Sequence, residues 1–543
     1  MKFFYFSLLR AFLLCLLFTG GVWSHAVHAI TPEILKTLST GDNSERIAAI
    51  DALVSTADVD ALPILQALLD GTLHVASGGE KVVILDKDGA HDALTKQVID
   101  PIPAGLEKIT INNRVRRILD SALAALKLSF PDPRIRLAAA EQLQDQASED
   151  FLPLIETAQK KEQDSDVRAA LALAKAGIQL KSTDAALRLE AVRVLAQSSR
   201  ESTKAALLAL IEKDTSGNYP EPDPAVRAEI KRSLAEIDSR LSTAEYIGRV
   251  FSGISLGSVL LLAALGLAIT YGLMGVINMA HGELLMIGAY TTYMVQVLFK
   301  SYWPEAFDLY LVVALPAAFI VSALVGMAME RSVIRYLYGR PLETLLATWG
   351  ISLILIQTVR TIFGAQNVEV VNPAWMSGGF ALVSNLVLPY NRIAIIVFSM
   401  IVLVLIWVLL NRTRLGLFVR AVTQNRTMAD CAGVPTRKVD MWAFGLGSGV
   451  AGLGGCALSQ IGNVGPDLGQ SYIVDSFMVV VLGGVGQIAG TVFAALGLGV
   501  VNKFLEPYAG AVLAKIFILV FIIIVIQKRP QGLFALKGRT VEN

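Results

Sequence analysis

The run Val250-Phe251-Ser252-Gly253-Ile254-Ser255-Leu256-Gly257-Ser258-Val259-Leu260-Leu261-Leu262-Ala263-Ala264-Leu265-Gly266-Leu267-Ala268-Ile269-Thr270-Tyr271 contains no charged side chain. Its length suits a helix crossing the hydrocarbon core of a bilayer, about 30 Å thick, at about 1.5 Å per residue. Toward the C-terminus, comparable stretches follow at 275–299, 307–329, 342–364, 392–410 and 439–462, then a broken Gly-rich stretch at 475–502 and a last span at 508–526. Toward the N-terminus the character changes. Between Thr31 and Leu241 charges are frequent and apolar residues return at helical spacing, the pattern of amphipathic helices in a soluble unit. The expected fold is all-α: a soluble helical unit at 30–243, a polytopic helical membrane unit at 247–535 and a short tail at 536–543.

Composition agrees with this division. The 543 residues are 54% hydrophobic and 17% charged, with mean hydropathy +0.56, too apolar for an ordinary soluble chain. The formal charge is +1 and the basic residues are dispersed among short loops, so nothing concentrates the positive surface a nucleic acid needs. Residues 1–29 combine Lys2 and Arg10, an apolar run from Ala11 to Phe18, and Val27-His28-Ala29, the order of a cleavable signal peptide, with the mature chain starting near Ile30. An uncleaved anchor helix is the competing account, although the apolar core is short for a span. Beyond the leader, Cys431 and Cys456 lie in or beside the membrane half, so no disulfide framework is implied.

A local pattern recurs in the soluble half: an acidic or Pro-containing start, an apolar residue, an arginine, and apolar residues three or four positions apart. It appears around Arg46, Arg136, Arg168, Arg188 and Arg227. Asp132-Pro133 and Asp223-Pro224 read as N-caps followed by a first-turn proline. Helix pairs of this kind bury their apolar faces only by stacking, so the pattern resembles HEAT-like repeats. An Ala/Leu-rich helical bundle is the alternative. Residues 72–112 interrupt the helices with Lys81-Val82-Val83-Ile84-Leu85 and Lys108-Ile109-Thr110-Ile111, which predict a small β insertion. His74 and His91 are isolated, with no metal-ligand spacing.

Loop charges orient the membrane half. If the chain arrives at Val250 from outside, three crossings place Arg331, Arg335 and Arg340 in the cytoplasm, and two more bring Arg412, Arg414, Arg420, Arg426, Arg437 and Lys438 to the same side. Lys528, Arg529, Lys537 and Arg539 join them only if 475–502 turns back as a re-entrant or double-short element, breaking within Gly483-Gly484-Val485-Gly486-Gln487-Ile488-Ala489-Gly490. Gly447-Ser448-Gly449-Val450-Ala451-Gly452 formally matches a dinucleotide fingerprint. No strand precedes it, and its small residues at four-residue spacing suit close helix packing instead.

Ionisable groups inside spans are costly unless they face protein or water, which singles out Asn278-Met279-Ala280-His281-Gly282-Glu283. Helical spacing puts Asn278 and His281 on one face, so Asn278, His281 and Glu283, with Gln487 from the Gly-rich break, are the candidate substrate pathway. The alternative leaves the segment near a cytoplasmic helix end, touching no substrate. The basic loop 411–438 predicts one short amphipathic helix ended by Gly433 and Pro435, which a partner protein would grip or which would rest on anionic lipid.

Several stretches together resemble the branched-chain amino acid family of ABC permeases. They are Ile254 to Ser258, Ala264 to Ala268, Tyr271 to Gly275, Asn278 to Glu283, Leu345 to Leu353, Arg420 to Gly433 and Val481 to Gly486, covering essentially 247–535. The resemblance implies a bacterial inner-membrane importer with a second homologous permease subunit, two cytoplasmic ATPase subunits and a periplasmic solute-binding protein. The ATPase contact then falls on Arg420, Asn425, Arg426, Ala429 and Gly433. No G-x-x-x-x-G-K-[ST] run occurs, so this chain is expected to be no enzyme and to hold no cofactor. The soluble extension, expected to be periplasmic with the C-terminus cytoplasmic, looks like that of urea-importing members. It favours urea over a branched-chain amino acid, in keeping with the scarcity of charges in the spans. A stand-alone channel and a periplasmic sensor are the readings from other classes.

Overall fold

A computed structural model describes residues 30–534 except 56–59, 77–80, 87–88, 103–104, 147–148, 214–216 and 384–385. The expected signal peptide at 1–29 and tail at 536–543 lie outside the described residues. The chain divides into two compact units, Met1–Leu241 and Ser242–Asn543.

In the first unit, helices α1 (Pro32–Thr40), α2 (Asn43–Ser55) and α3 (Ala61–Asp70) lead into strands β1 (Leu73–Val75), β2 (Val82–Asp86), β3 (Gly89–Asp92) and β4 (Glu107–Lys108). Helices α4 (Asn113–Lys127), α5 (Pro133–Gln146), α6 (Leu152–Lys161), α7 (Ser165–Gln179), α8 (Ala185–Leu195) and α9 (Glu201–Ile211) follow. The expected pair of strands is a four-stranded antiparallel sheet in the order β3-β2-β1-β4. Its last strand is Glu107–Lys108, so most of the expected 108–111 strand is not paired.

The recurring arginine has one structural job. Asp42, Asp132, Asp164, Asp184 and Asp223 each accept a hydrogen bond at Oδ1 from the backbone N–H two residues on, capping a helix start. Four residues after each aspartate, the arginine reaches back over the loop. Arg136 donates to Phe130 O and Pro131 O, Arg188 to Ser182 O and Thr183 O, and Arg227 to Glu221 O and Pro222 O, all at 2.7–3.0 Å. Carbonyls that the preceding loop cannot satisfy itself are thereby paired.

Arg136 also grips the buried Glu162 with both Nε and Nη2, at 2.8 and 2.9 Å. That fork and the backbone N–H groups of Gln163 and Asp164 hold the Glu162 carboxyl down at about 2, well below its ordinary 4.5. A depressed carboxyl stabilises the fold above its unfolded value and loses that contribution as pH falls through its folded value. Amide protection in 133–179, followed by hydrogen exchange on the full chain, is therefore expected to fall between about pH 4.5 and 2. Glu162→Gln should lower protection already at pH 7 and remove that acid step.

Helix α10 (Pro224–Met274) contributes Val226, Ile230, Leu234 and Ile237 to the core of the first unit, and its residues from Ser242 onward belong to the second. Then come α11 (His281–Tyr302), α12 (Tyr310–Ser332), α13 (Pro341–Phe363), a hairpin of β5 (Gly379–Val383) and β6 (Leu386–Pro389), and α14 (Tyr390–Arg412). They are followed by α15 (Arg414–Gln424), α16 (Arg426–Cys431), α17 (Thr436–Ser459), α18 (Leu468–Gly483) and α19 (Ile488–Lys528).

Among the described residues, six helices are long and apolar enough to cross a membrane. In the apolar windows of α10 and α17, 72% and 78% of residues are buried, against 17–33% in α12, α13, α14 and α19, so the first two form the centre and the others the lipid-facing shell. Glycines let the central helices touch through their backbones. Gly447 lies on Gly266, Gly452 on Gly288, and Gly455 on the Leu285 carbonyl. The fingerprint-like Gly447 to Gly452 run thus lies inside α17 and makes helix contacts.

Two expected spans are rebuilt by the backbone. Residues 275–280 are not helical, so the expected 275–299 span begins only at His281. The 475–502 stretch breaks after Gly483: Gly484 and Gly486 adopt φ of +99° and +80°, and the backbones of Gly483 and Gly490 come into contact as the chain reverses. The expected 508–526 span is the latter part of α19, kinked at Gly510 (φ +76°) after Pro507.

Candidate functional site

The two ends of the second unit differ in charge. At one end Tyr338 OH lies 3.4 Å from Met274 Sδ at the close of α10, the Arg426 guanidinium stacks 4.8 Å from the Tyr338 ring, and Leu533 N–H donates to Leu482 O (2.9 Å) beside the α18–α19 turn. The basic stretches 331–340 and 412–438 are thereby joined. The opposite end gathers 304–310, 364–391 and 460–467 through Trp375 Nε1 to Asp308 O (3.1 Å), paired Val368 and Val464, and Tyr310 OH to Val371 O (2.8 Å) and Gln460 Oε1 (3.1 Å). Gly248 of α10 touches Leu386 at this less basic end.

Between the ends lies the 278–283 segment. After α10 stops at Met274, residues 275–280 run without helix and α11 starts part-way along the bundle rather than at its edge. Three contacts fix the depth. His281 Nε2 donates to the Ala263 carbonyl at 2.9 Å, eleven residues before the end of α10. Ser352, the middle residue of α13, donates through Oγ to Glu283 Oε1 at 2.7 Å. Gly282 lies against the backbone of Gly469, at the start of α18. Two helix N-termini, α11 and α18, therefore meet near mid-bundle, and neither has a side-chain cap.

Asn278, His281 and Glu283 are all buried, with 1%, 0% and 2% of their surfaces exposed. Asn278 is not on the helix face expected for it: it precedes α11, and its Oδ1 accepts the Ala280 N–H at 3.0 Å. Tight local bonding of an Asn side chain to the backbone favours such a turn over another helical residue. His281, with its ring on Ala263 O, fastens the start of α11 to α10. Asn278 Nδ2, His281 Nδ1 and Glu283 Oε2 have no hydrogen-bond partner. On α13, Thr348 Oγ1 accepts the Met279 N–H at 3.1 Å, one turn before Ser352. Thr344, Thr348 and Ser352, at four-residue spacing, form the hydroxyl-bearing side of this seam. In the sequence Thr348 and Ser352 stand out only as part of the family-like stretch Leu345 to Leu353, and Thr344 not at all, because their role depends on which helix they face.

Gln487 is not brought to this group. It opens α19 at the basic end and lines a cavity of about 630 Å³ together with Arg420, Asn411, Trp407 and Gly486. The remaining residues of the 420–433 set form a compact turn. The expected single helix is two, broken at Asn425, whose extended backbone and Oδ1 cap α16 by accepting the Met428 N–H at 2.9 Å. Ala429 is buried against Val419, Val422, Val439 and Ala443, and Gly433 takes φ +83° to turn the chain into α17. Leu417 and Met428 are exposed.

Arg426 anchors this turn. It pairs with Asp440 of α17, whose side chain is buried, while covering the Tyr338 ring. Tyr338 OH donates to Glu330 Oε1 (3.2 Å), and Arg335 Nη2 pairs with Glu330 Oε2 (3.3 Å) at the end of α12. Burial, together with the Asp440 and Glu330 charges, pushes the Tyr338 phenol far above its ordinary value, so it remains a donor. Two buried carboxylates, Asp440 on α17 and Glu330 on α12, are thus held through Arg426, Arg335 and Tyr338 of the basic loops.

The chain's 249–526 matches the model described as branched-chain amino acid transport system / permease component. It is similar to the high-affinity branched-chain amino acid transport system permease protein BraD of Pseudomonas aeruginosa, 28% identical over 294 residues, 53% of this chain and 95% of the relative. LivH of Escherichia coli, with the corresponding description, is 27% identical over 53% of this chain and 95% of its own length, and a probable LivH of Methanocaldococcus jannaschii is 25% identical over 51% and 88%. These relatives are transport permeases rather than enzymes. With its multi-pass apolar helices and a match across 249–526, the chain belongs to the branched-chain amino acid ABC permease family.

Proposed function

We propose that this chain is the membrane-spanning permease subunit of a binding-protein-dependent ABC importer that takes up branched-chain amino acids. The observation that carries the reading is the match to permeases of branched-chain amino acid systems over 95% of their length. In this reading a second permease, two ATPase subunits and a solute-binding protein complete the assembly, and ATP-driven movement of the partners rocks the bundle between two access states. The Arg420 to Gly433 turn meets the ATPase, with Leu417 and Met428 as its exposed apolar contacts. The joined basic loops support placing that end in the cytoplasm and the 364–391 end outside.

The first unit, which lies outside 249–526, would then be periplasmic. Its five Asp-capped, Arg-tied helix starts support a HEAT-like repeat reading. This extension is also the observation that favours urea as the second substrate; the relatives' descriptions favour the amino acid. Uptake of radiolabelled leucine, valine and urea in a deletion strain and its complemented parent separates the two. Loss of leucine and valine uptake with urea uptake intact is expected, and the reverse pattern overturns the amino acid assignment in favour of urea.

A further inference from the structure

The buried Glu283 is an electrostatic anomaly in the bundle. One carboxylate oxygen accepts from Ser352, the other has no partner, and among the described residues no cationic side chain forms an ion pair with it. An isolated carboxylate in a low-dielectric interior is retained at considerable cost unless a countercharge arrives. At the same depth, the N-termini of α11 and α18, neither with a side-chain cap, touch through Gly282 and Gly469, so both positive dipole ends converge beside it. The Asn278 amide Nδ2 adds a buried donor without an acceptor. The place therefore offers one negative oxygen beside an amide donor and two positive helix ends that suit an anion, which is the complement of a zwitterion.

A cavity of about 470 Å³ adjoins the same first turn of α18 from the less basic end, lined by Asn367, Asn463, Asp467, Leu468, Ser471 and Tyr472. This size falls within the roughly 300–1,000 Å³ of small-molecule pockets. Asp467 is already paired with Arg360 at 2.7 Å, so its charge is compensated. We propose that Glu283, Asn278 and the paired N-termini of α11 and α18 form a mid-bundle zwitterion site. Glu283 Oε2 takes the α-ammonium of the transported amino acid, and the helix N-termini with Asn278 Nδ2 take its α-carboxylate. Broken helices whose N-termini meet at mid-membrane are a general means of holding a charged solute in a bilayer. This inference rests on the amino acid reading, since a neutral solute such as urea brings no countercharge for Glu283.

The test is equilibrium binding of radiolabelled leucine to the purified assembled transporter without its solute-binding protein. In the wild type, 3-methylbutylamine, which keeps the ammonium, is expected to displace leucine, and Glu283→Gln should abolish that displacement and weaken leucine binding about tenfold or more. Ser352→Ala, a smaller change to the same carboxylate, should weaken it less. Unchanged leucine binding in both variants, no leucine binding by the wild type, or displacement by 4-methylpentanoate but not by the amine overturns the site. Deletion-strain uptake separates the two failures: leucine uptake lost on deletion with no binding pattern of this kind sinks the site alone, whereas unaffected leucine uptake sinks the amino acid reading.

Discussion

Arg426→Ala in the assembled transporter is expected to leave basal ATP hydrolysis near the wild-type rate while cutting substrate import to about a tenth. The guanidinium joins the 420–433 turn to α17 through Asp440 and to the 333–340 loop through Tyr338. Without it the Asp440 carboxylate is left buried near Glu330 and Arg335, and the turn loses its ion pair to α17. Removing one partner of a buried pair costs about 3–5 kcal/mol, and the partial exposure of Arg426 brings the expected loss to about 1–3 kcal/mol.

A loss of that size loosens the turn without unfolding the protein. The measured signature is therefore uncoupling, read as import per ATP hydrolysed in proteoliposomes. Arg426→Lys keeps the charge but not the planar stacking, and intermediate coupling is expected. A double-mutant cycle with Asp440→Asn isolates the pair: the second substitution should add little once Arg426 is gone. Full coupling in Arg426→Ala would show that the turn transmits motion by another contact.

A second large effect is expected at the centre of the bundle. Gly455→Val should reduce the yield of monodisperse, membrane-extracted protein at least about tenfold. A Cβ at this position would lie 1.8 Å from the Leu285 carbonyl oxygen and 2.9 Å from Ala289 N, both backbone atoms of α11 that no rotamer change moves. Overpacking a core usually costs about 1–3 kcal/mol, and here relief requires separating α17 from α11 along their seam. Gly350→Ala is the control. A Cβ there meets nothing within 4 Å, and alanine in a helix is favoured over glycine by about 1 kcal/mol, so expression should be unchanged or improved. Equal yields for the two variants would mean that α11 and α17 do not pack through their backbones.

The division into a charged helical part and an apolar helical part was legible from hydropathy alone, as was the Gly-rich interruption before Ile488. Positive φ at Gly484 and Gly486 is the conformation that such a glycine cluster permits. The recurring arginines were visible as a pattern, but their common function was not. An Asp-to-Arg spacing of four becomes meaningful only when the loop carbonyls it ties have been folded beneath the side chain.

The candidate site was legible in its residues and misread in its geometry. Asn278, His281 and Glu283 stood out because polar groups are rare among apolar spans, a property of composition. Asn278 lies outside the helix because the backbone is not helical across 275–280, and apolar composition there does not reveal the break. Gln487 shares their polar chemistry, yet it opens α19 at the basic end. In the same way, the loop 411–438 predicts one short amphipathic helix ended by Gly433, where the Asn425 side chain instead caps a second helix.

By itself, the sequence determined which segments are apolar enough for lipid, where charges concentrate, and which polar residues have no ordinary reason to be buried. These follow from local transfer free energy and chain flexibility. The depth of α11, the meeting of its N-terminus with that of α18 through Gly282 and Gly469, and the Arg426–Tyr338–Glu330 attachment were decided only by tertiary structure. Each joins residues distant in sequence, and no local preference encodes which of several similar glycines or hydroxyls will face one another when the helices pack.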